Sequence, residues 1–307
     1  MSDTFFTGPP HWTWLIILYF FVGGIAGGAC FLATTLDLFG RPEDRPVIRT
    51  GYYTAFWGAI VSGVLLTLDL GQPLRFWHML FQSNHFPQLI FKSWSPISFG
   101  AWALLLFGGF AALSALGARV EEGKVRLPAA RVLRSGTALA RLIALIAGLL
   151  GFFVAGYTGI LLSVTNRPIW ADSPWLGALF VASAASTGAA TLSMLGSGRG
   201  AAERSLRWLS TFDSRALVVE LVILIVFLGS LGTVARVWVS GWGLVLLLGV
   251  VGAGILWPLR LHARRDTREA AVSPAALILL GGFLLRVVTI YASEGIAYHH
   301  VAQGVTR

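Results

Sequence analysis

The sequence predicts an all-α integral membrane protein with eight transmembrane helices. Composition, the spacing of apolar stretches and the placement of basic residues carry that expectation. Of 307 residues, 56% are hydrophobic and 12% charged, and mean hydropathy is +0.74; roughly a quarter of the residues in an ordinary soluble domain are charged. The net charge of +9 is spread over short connections rather than gathered on one arm, which argues for topology determinants and against a nucleic-acid partner.

A helix needs about 20 largely apolar residues to cross the hydrocarbon core, and eight stretches qualify. Span 1, 12–39, has no Lys or Arg before it and exceeds the apolar region of a cleavable signal peptide, so it remains as a helix. Its pairs Gly23-Gly24 and Gly27-Gly28 let a neighbouring backbone approach closely in lipid. Span 2, 49–70, ends beside Asp69, and span 3, 96–117, opens at Ser95-Pro96. Span 4, 142–164, carries Tyr157 about two turns from its end, and span 5, 173–196, has a stripe of Ser183, Ser186, Thr187, Gly188 and Thr191 suited to interhelical packing. Spans 6, 7 and 8 are 216–235, 241–261 and 272–292, with Arg286 inside the last.

The loops after spans 1, 3, 5 and 7, counted together with Arg49 and Arg260 at the adjoining span ends, hold 3, 6, 4 and 4 Lys or Arg, 17 in all. The N-terminus, the loops after spans 2, 4 and 6, and the C-terminus hold 0, 2, 1, 1 and 1. The positive-inside rule then puts both termini on the outer, periplasmic side of a bacterial or archaeal inner membrane. Trp12, Trp14, Trp77, Trp94, Trp170, Trp175, Trp238 and Trp242 fall at or near that side.

One transmembrane domain over 1–307 is expected, with halves 12–164 and 173–292. The halves echo each other at a spacing of about 160 residues: Gly28-Ala29-Cys30-Phe31-Leu32 against Gly188-Ala189-Ala190-Thr191-Leu192, and Arg75-Phe76-Trp77 against Arg236-Val237-Trp238. Such an offset gives two four-helix bundles as a parallel repeat.

Burying a charge in lipid costs at least about 2.5 kcal/mol, so ionisable residues near spans face cavities or partners. Asp69, Arg75, His78, Asn166, Arg167, Arg236, Arg286 and Glu294 are expected in the outer third, with Tyr157 inside span 4 and His11 at the mouth of span 1. Toward the inner side only Asp37 and Glu220 are acidic candidates, and no charge is expected at the midplane. A polar cluster at one end of an apolar bundle suits an amphipathic ring with two carbonyl oxygens, such as a quinone. Its redox chemistry moves two protons, which calls for neutral Tyr or His donors and a nearby carboxylate: Tyr157, His11 and Asp69. Asn166 and Trp170 complete the candidate quinone site, and Asp69, Arg75, Glu220, Arg236 and Arg286 are the candidate proton relay. Each also has a plainer reading: Tyr157 as an interfacial tyrosine, His11 as a solvated residue, Asp69 as the partner of Arg75, and Arg236 and Arg286 as outward-reaching or carboxylate-neutralising side chains.

The six histidines lie in loops, at span ends or in the tail, so no facing pair for haem is expected. The single cysteine, Cys30, cannot hold an iron–sulfur cluster, and no other metal motif appears. No continuous chain of ionisable groups leads outward from Asp37 or Glu220, so electroneutral turnover is expected.

Four segments taken together resemble the polysulfide reductase membrane-subunit family, also called NrfD-like. They are Tyr19-Phe20-Phe21-Val22-Gly23-Gly24 with Gly27-Gly28-Ala29; Asp69-Leu70-Gly71-Gln72-Pro73-Leu74-Arg75-Phe76; Ser95-Pro96-Ile97-Ser98-Phe99-Gly100-Ala101-Trp102; and Tyr157-Thr158-Gly159-Ile160-Leu161-Leu162 leading to Pro168-Ile169-Trp170. The likeness spans most of residues 12–195. It implies a subunit that binds menaquinone or ubiquinone and anchors a ferredoxin-like iron–sulfur subunit, itself joined to a molybdopterin-type catalytic subunit. It also implies a quinone pocket near the docking face, lined by the positions of Tyr157 and His11. Ser95-Pro96-Ile97-Ser98 departs from the family's Met-Ser pairing, and the second half offers no motif to align. The competing reading is a secondary transporter for a small solute, which requires helices broken near the midplane.

Overall fold

The computed structural model describes residues 12–126, 128–263 and 273–304. Eight long helices occur among the described residues: α1 Trp14–Phe39, α2 Arg45–Asp69, α3 Pro96–Glu121, α4 Ala138–Ser163, α5 Leu176–Gly198, α6 Glu203–Ser230, α7 Gly241–Ala263 and α8 Ser273–Gly304. Seven of the described helical segments are long and apolar enough to cross a membrane, or eight when α6 is joined to its bent extension. No strand occurs among the described residues.

Helix ends follow local chemistry. The Thr13, Ser95 and Thr137 hydroxyls accept from backbone amides at the starts of α1, α3 and α4, satisfying donors that the first helical turn leaves free. Pro96 opens α3, where its missing N–H costs nothing.

α1 is the central element and packs against α2, α4, α5 and α8. In lipid no hydrophobic gradient drives helices together, so close van der Waals contact must do so. The doubled glycines of α1 provide it on several faces. A Cβ on Gly27 would stand 2.3 Å from the Gly151 carbonyl oxygen of α4, and one on Gly28 would stand 2.0 Å from the Ala184 carbonyl oxygen of α5. The packing role read from those glycines is what the structure contains. Two apolar cores result, one centred on α1 to α4 and the other reaching from α1 into α5 to α8.

The largest departure from the sequence reading is α6. It begins at Glu203 rather than 216 and ends at Ser230, where the backbone bends by 111° into a 3₁₀ segment, Gly232–Val239. Hydropathy cannot find the early start because the first turns are polar, yet those polar groups are paired. Ser205 donates to Asp44, Arg204 lies 3.4 Å from Glu43, and Asp213 lies 3.1 Å from His262 Nε2. Gly232, at φ +55°, sets the bend, a conformation that favours glycine.

The arginine-rich end of the first half is closed by a polar knot. Asp37 accepts from Arg45, Tyr52 and Ser135, while Arg49 lies 3.3 Å from Glu121.

Candidate functional site

At the opposite, arginine-poor end, three of the sequence-derived site residues converge on the start of α1. Asp69, at the end of α2, accepts from the Thr13 hydroxyl. Trp170, in the connection between α4 and α5, is fully buried against Trp12 at 5.1 Å between ring centroids. Tyr157 of α4 lies deeper, within electrostatic reach of Tyr19 of α1. Tyr19 is six residues into the helix from Thr13, about 9 Å along its axis.

The Tyr157 hydroxyl donates to the Pro96 carbonyl at the start of α3, and its ring stacks on Phe153. Gly100 makes that placement possible, because any Cβ there would fall 2.3 Å from the ring and hydroxyl. The α3 segment and Tyr157 are thus two halves of one contact. Tyr19 itself, only 3% exposed, was not among the sequence-derived site residues. Among the described residues its hydroxyl has no hydrogen-bond partner. Its i, i+4 spacing to Gly23, on the helix face bearing the close-packing glycines, was the available signal.

Other expected members are arranged differently. Asn166, Arg75 and Arg236 are exposed. Arg75 forms no ion pair with Asp69, whose partner is Thr13. The Trp170 indole N–H is used internally, donating to the Thr289 carbonyl of α8 at 2.7 Å, with Arg167 stacked over the ring at 5.2 Å. Trp170 therefore fastens the α4–α5 connection to α8. His11 lies outside the described residues, as does the side chain of Glu294.

The expectations for Glu220 and Arg286 are corrected by the packing. Glu220 does not lie at a span end, and Arg286 does not reach outward. Both are buried, at 3% and 1% exposure. The Arg286 guanidinium donates to the Ser183 hydroxyl and the Gly282 carbonyl and lies 5.0 Å over the Phe180 ring. Glu220 accepts from Ser186 at 3.0 Å. Glu220 sits ten residues from the end of α6, about 15 Å below it. Charge inside the bilayer, not expected at the midplane, is present here as two ionisable groups held by α5. The polar stripe read on α5 as helix packing is what solvates it.

Apolar crossing helices, a polar and aromatic cluster at one end and a charge pair within make this a multi-pass integral membrane protein. It belongs to the NrfD polysulphide reductase family, whose family model matches residues 3–297. It is 26% identical to the C chain of polysulfide reductase from Wolinella succinogenes over 310 residues, covering 92% of this protein and 94% of that one. It is also 27% identical to protein NrfD of Escherichia coli over 311 residues (92% and 95% covered), and 25% identical to the NrfD homolog of Haemophilus influenzae over 304 residues (92% and 94% covered).

Proposed function

We propose that this protein is the quinone-reactive membrane subunit of a multi-subunit reductase, exchanging electrons with an iron–sulfur partner at its arginine-poor face. The observation that carries this reading is Tyr19, a buried residue near Tyr157 whose hydroxyl has no protein acceptor among the described residues. A phenol without a protein acceptor, beside a second phenol, fits a ligand carbonyl. A quinone supplies two-electron, two-proton chemistry at its two carbonyl oxygens.

Tyr19 would hold one such oxygen, and Tyr157 the same or the other by exchanging its bond to the Pro96 carbonyl. Asp69, half-buried at the mouth and bonded to Thr13, would pass protons between the site and the aqueous side. Arg75 and Arg236, exposed on the 3₁₀ segments after α2 and α6, fit attraction of an anionic partner surface better than a buried relay. The two cores, the 160-residue echo and the charge asymmetry support two four-helix halves with both termini outside, in a bacterial or archaeal inner membrane. The name of the Wolinella relative, one lettered chain of a reductase, supports further subunits, read here as a ferredoxin-like iron–sulfur protein and a molybdopterin-type enzyme. α1 and α5 run unbroken through Trp14–Phe39 and Leu176–Gly198, which counts against a transporter built on interrupted helices.

The test is isolation of the native complex in mild detergent, with mass spectrometry of subunits and lipids and assay of quinone-linked electron transfer. Co-purifying quinone, and its weaker retention by Tyr19→Phe, are expected. A complex without exchangeable quinone, and with activity untouched by Tyr19→Phe and Tyr157→Phe, would sink the reading.

A further inference from the structure

Away from the tyrosine cluster, on the lipid-facing side of the second half, an open groove of about 580 Å³ lies against α7 and α8. α7 is wound as a π-helix from Val245 to Leu256, a broader winding seldom sustained beyond one turn and frequent at functional positions. The two helices touch backbone to backbone where Gly254 meets Gly281, a Cβ on Gly254 falling 2.5 Å from the Gly281 Cα. Beside that contact, Gly252 and Ala253 form the groove floor, and Leu248, Leu256 and Leu277 form its walls. At the arginine-rich end the groove finishes at Trp257, 59% exposed, and the exposed Arg260.

The chemistry changes along the groove's length. Its floor and walls are aliphatic and uncovered, whereas its end pairs an indole with a guanidinium, the combination found where acyl chains give way to headgroups. Arg260 forms no ion pair with any described carboxylate, and Arg264 and Arg265 follow it in the sequence. A guanidinium offers planar, paired donors that match a phosphate. Basic pockets between transmembrane helices on the arginine-rich side recognise anionic lipid headgroups.

We infer that this groove is a binding site for an anionic phospholipid, with an acyl chain lying over Gly252 and Ala253 and the phosphate against Arg260. Charge complementarity selects that occupant over a zwitterionic lipid, whose own cation would meet the guanidinium. The inference does not depend on the quinone reading.

The test is native mass spectrometry of the purified complex titrated with phosphatidylglycerol or with phosphatidylcholine of the same acyl chains. Wild type is expected to retain phosphatidylglycerol about fivefold better, the contribution of one arginine near a charged headgroup. Arg260→Gln, at an exposed position, should erase that preference, and Ala253→Trp should fill the floor and release both lipids. Equal retention of the two lipids by wild type, or an unchanged preference in Arg260→Gln, overturns the site. In native membranes, a benzophenone amino acid at Leu256 should yield an adduct of lipid mass; a polypeptide adduct would mean that a protein helix occupies the groove, and would overturn it too.

Discussion

Arg286 of α8 and Glu220 of α6 are joined through α5, where Ser183 takes the guanidinium and Ser186 the carboxylate. Removing one member strands the other in a low-dielectric interior, which costs about 3–5 kcal/mol. Arg286→Met is therefore expected to lower the thermal unfolding midpoint of the purified protein sharply. The double substitution Glu220→Gln with Arg286→Gln should recover much of the loss. A single variant as stable as wild type would mean that the two charges are not coupled.

The two phenols of the candidate site should separate stability from ligand binding. Tyr157→Phe deletes a hydrogen bond to the Pro96 carbonyl and should cost about 1 kcal/mol of stability. Tyr19→Phe deletes no protein hydrogen bond among the described residues, so its unfolding midpoint should stay put. Its KM for quinone should rise about tenfold, the equivalent of about 1.4 kcal/mol. Titrating quinone-linked turnover in both variants checks this, and a Tyr19→Phe enzyme with normal KM would remove that tyrosine from the site.

Gly28 and Gly100 should each resist even one added methyl group. Gly28→Ala would drive a Cβ into the Ala184 carbonyl at 2.0 Å, and Gly100→Ala would drive one into Tyr157 at 2.3 Å. Overpacking of that kind costs about 1–3 kcal/mol. Because Gly100 supports Tyr157, Gly100→Ala should also impair quinone-linked turnover, while Gly109→Ala, with open space around its Cβ position, should be silent in both assays.

Topology can be read with one native thiol out of the way. Cys30 is fully buried, so a cysteine-directed, membrane-impermeant reagent should leave the parent protein unlabelled. Val239→Cys, on a 91% exposed side chain, should label from the periplasmic side of intact cells. Lys124→Cys, on the connection between α3 and α4, should label only after permeabilisation. The reverse pattern would invert the protein in the membrane.

Helices were legible in the sequence wherever apolar length alone decides, and α3 and α7 begin at the residues expected. α6 was misplaced because its first turns are stabilised by pairs such as Ser205 with Asp44, 161 residues apart, which no local window contains. The candidate site was legible as a set of polar residues near one end. It was not legible as geometry, since Trp170 and Asn166 differ in burial although only four residues separate them. Glu220 and Arg286 were both legible as residues worth singling out, but not their meeting through α5. They lie 66 residues apart in otherwise apolar stretches, and only the approach of α5 reveals why they are tolerated there.

The central position of α1 has a consequence for biogenesis. It is the first described helix to leave the ribosome, yet the surfaces that receive Gly28 and Gly24 lie on α5 and α8. Its close-packing glycines and Tyr19 must therefore wait in the insertion machinery or against lipid until more than 250 further residues have been made. Nascent polypeptides stalled before α8 should then remain prey to membrane quality-control proteases, however well their first four helices have assembled.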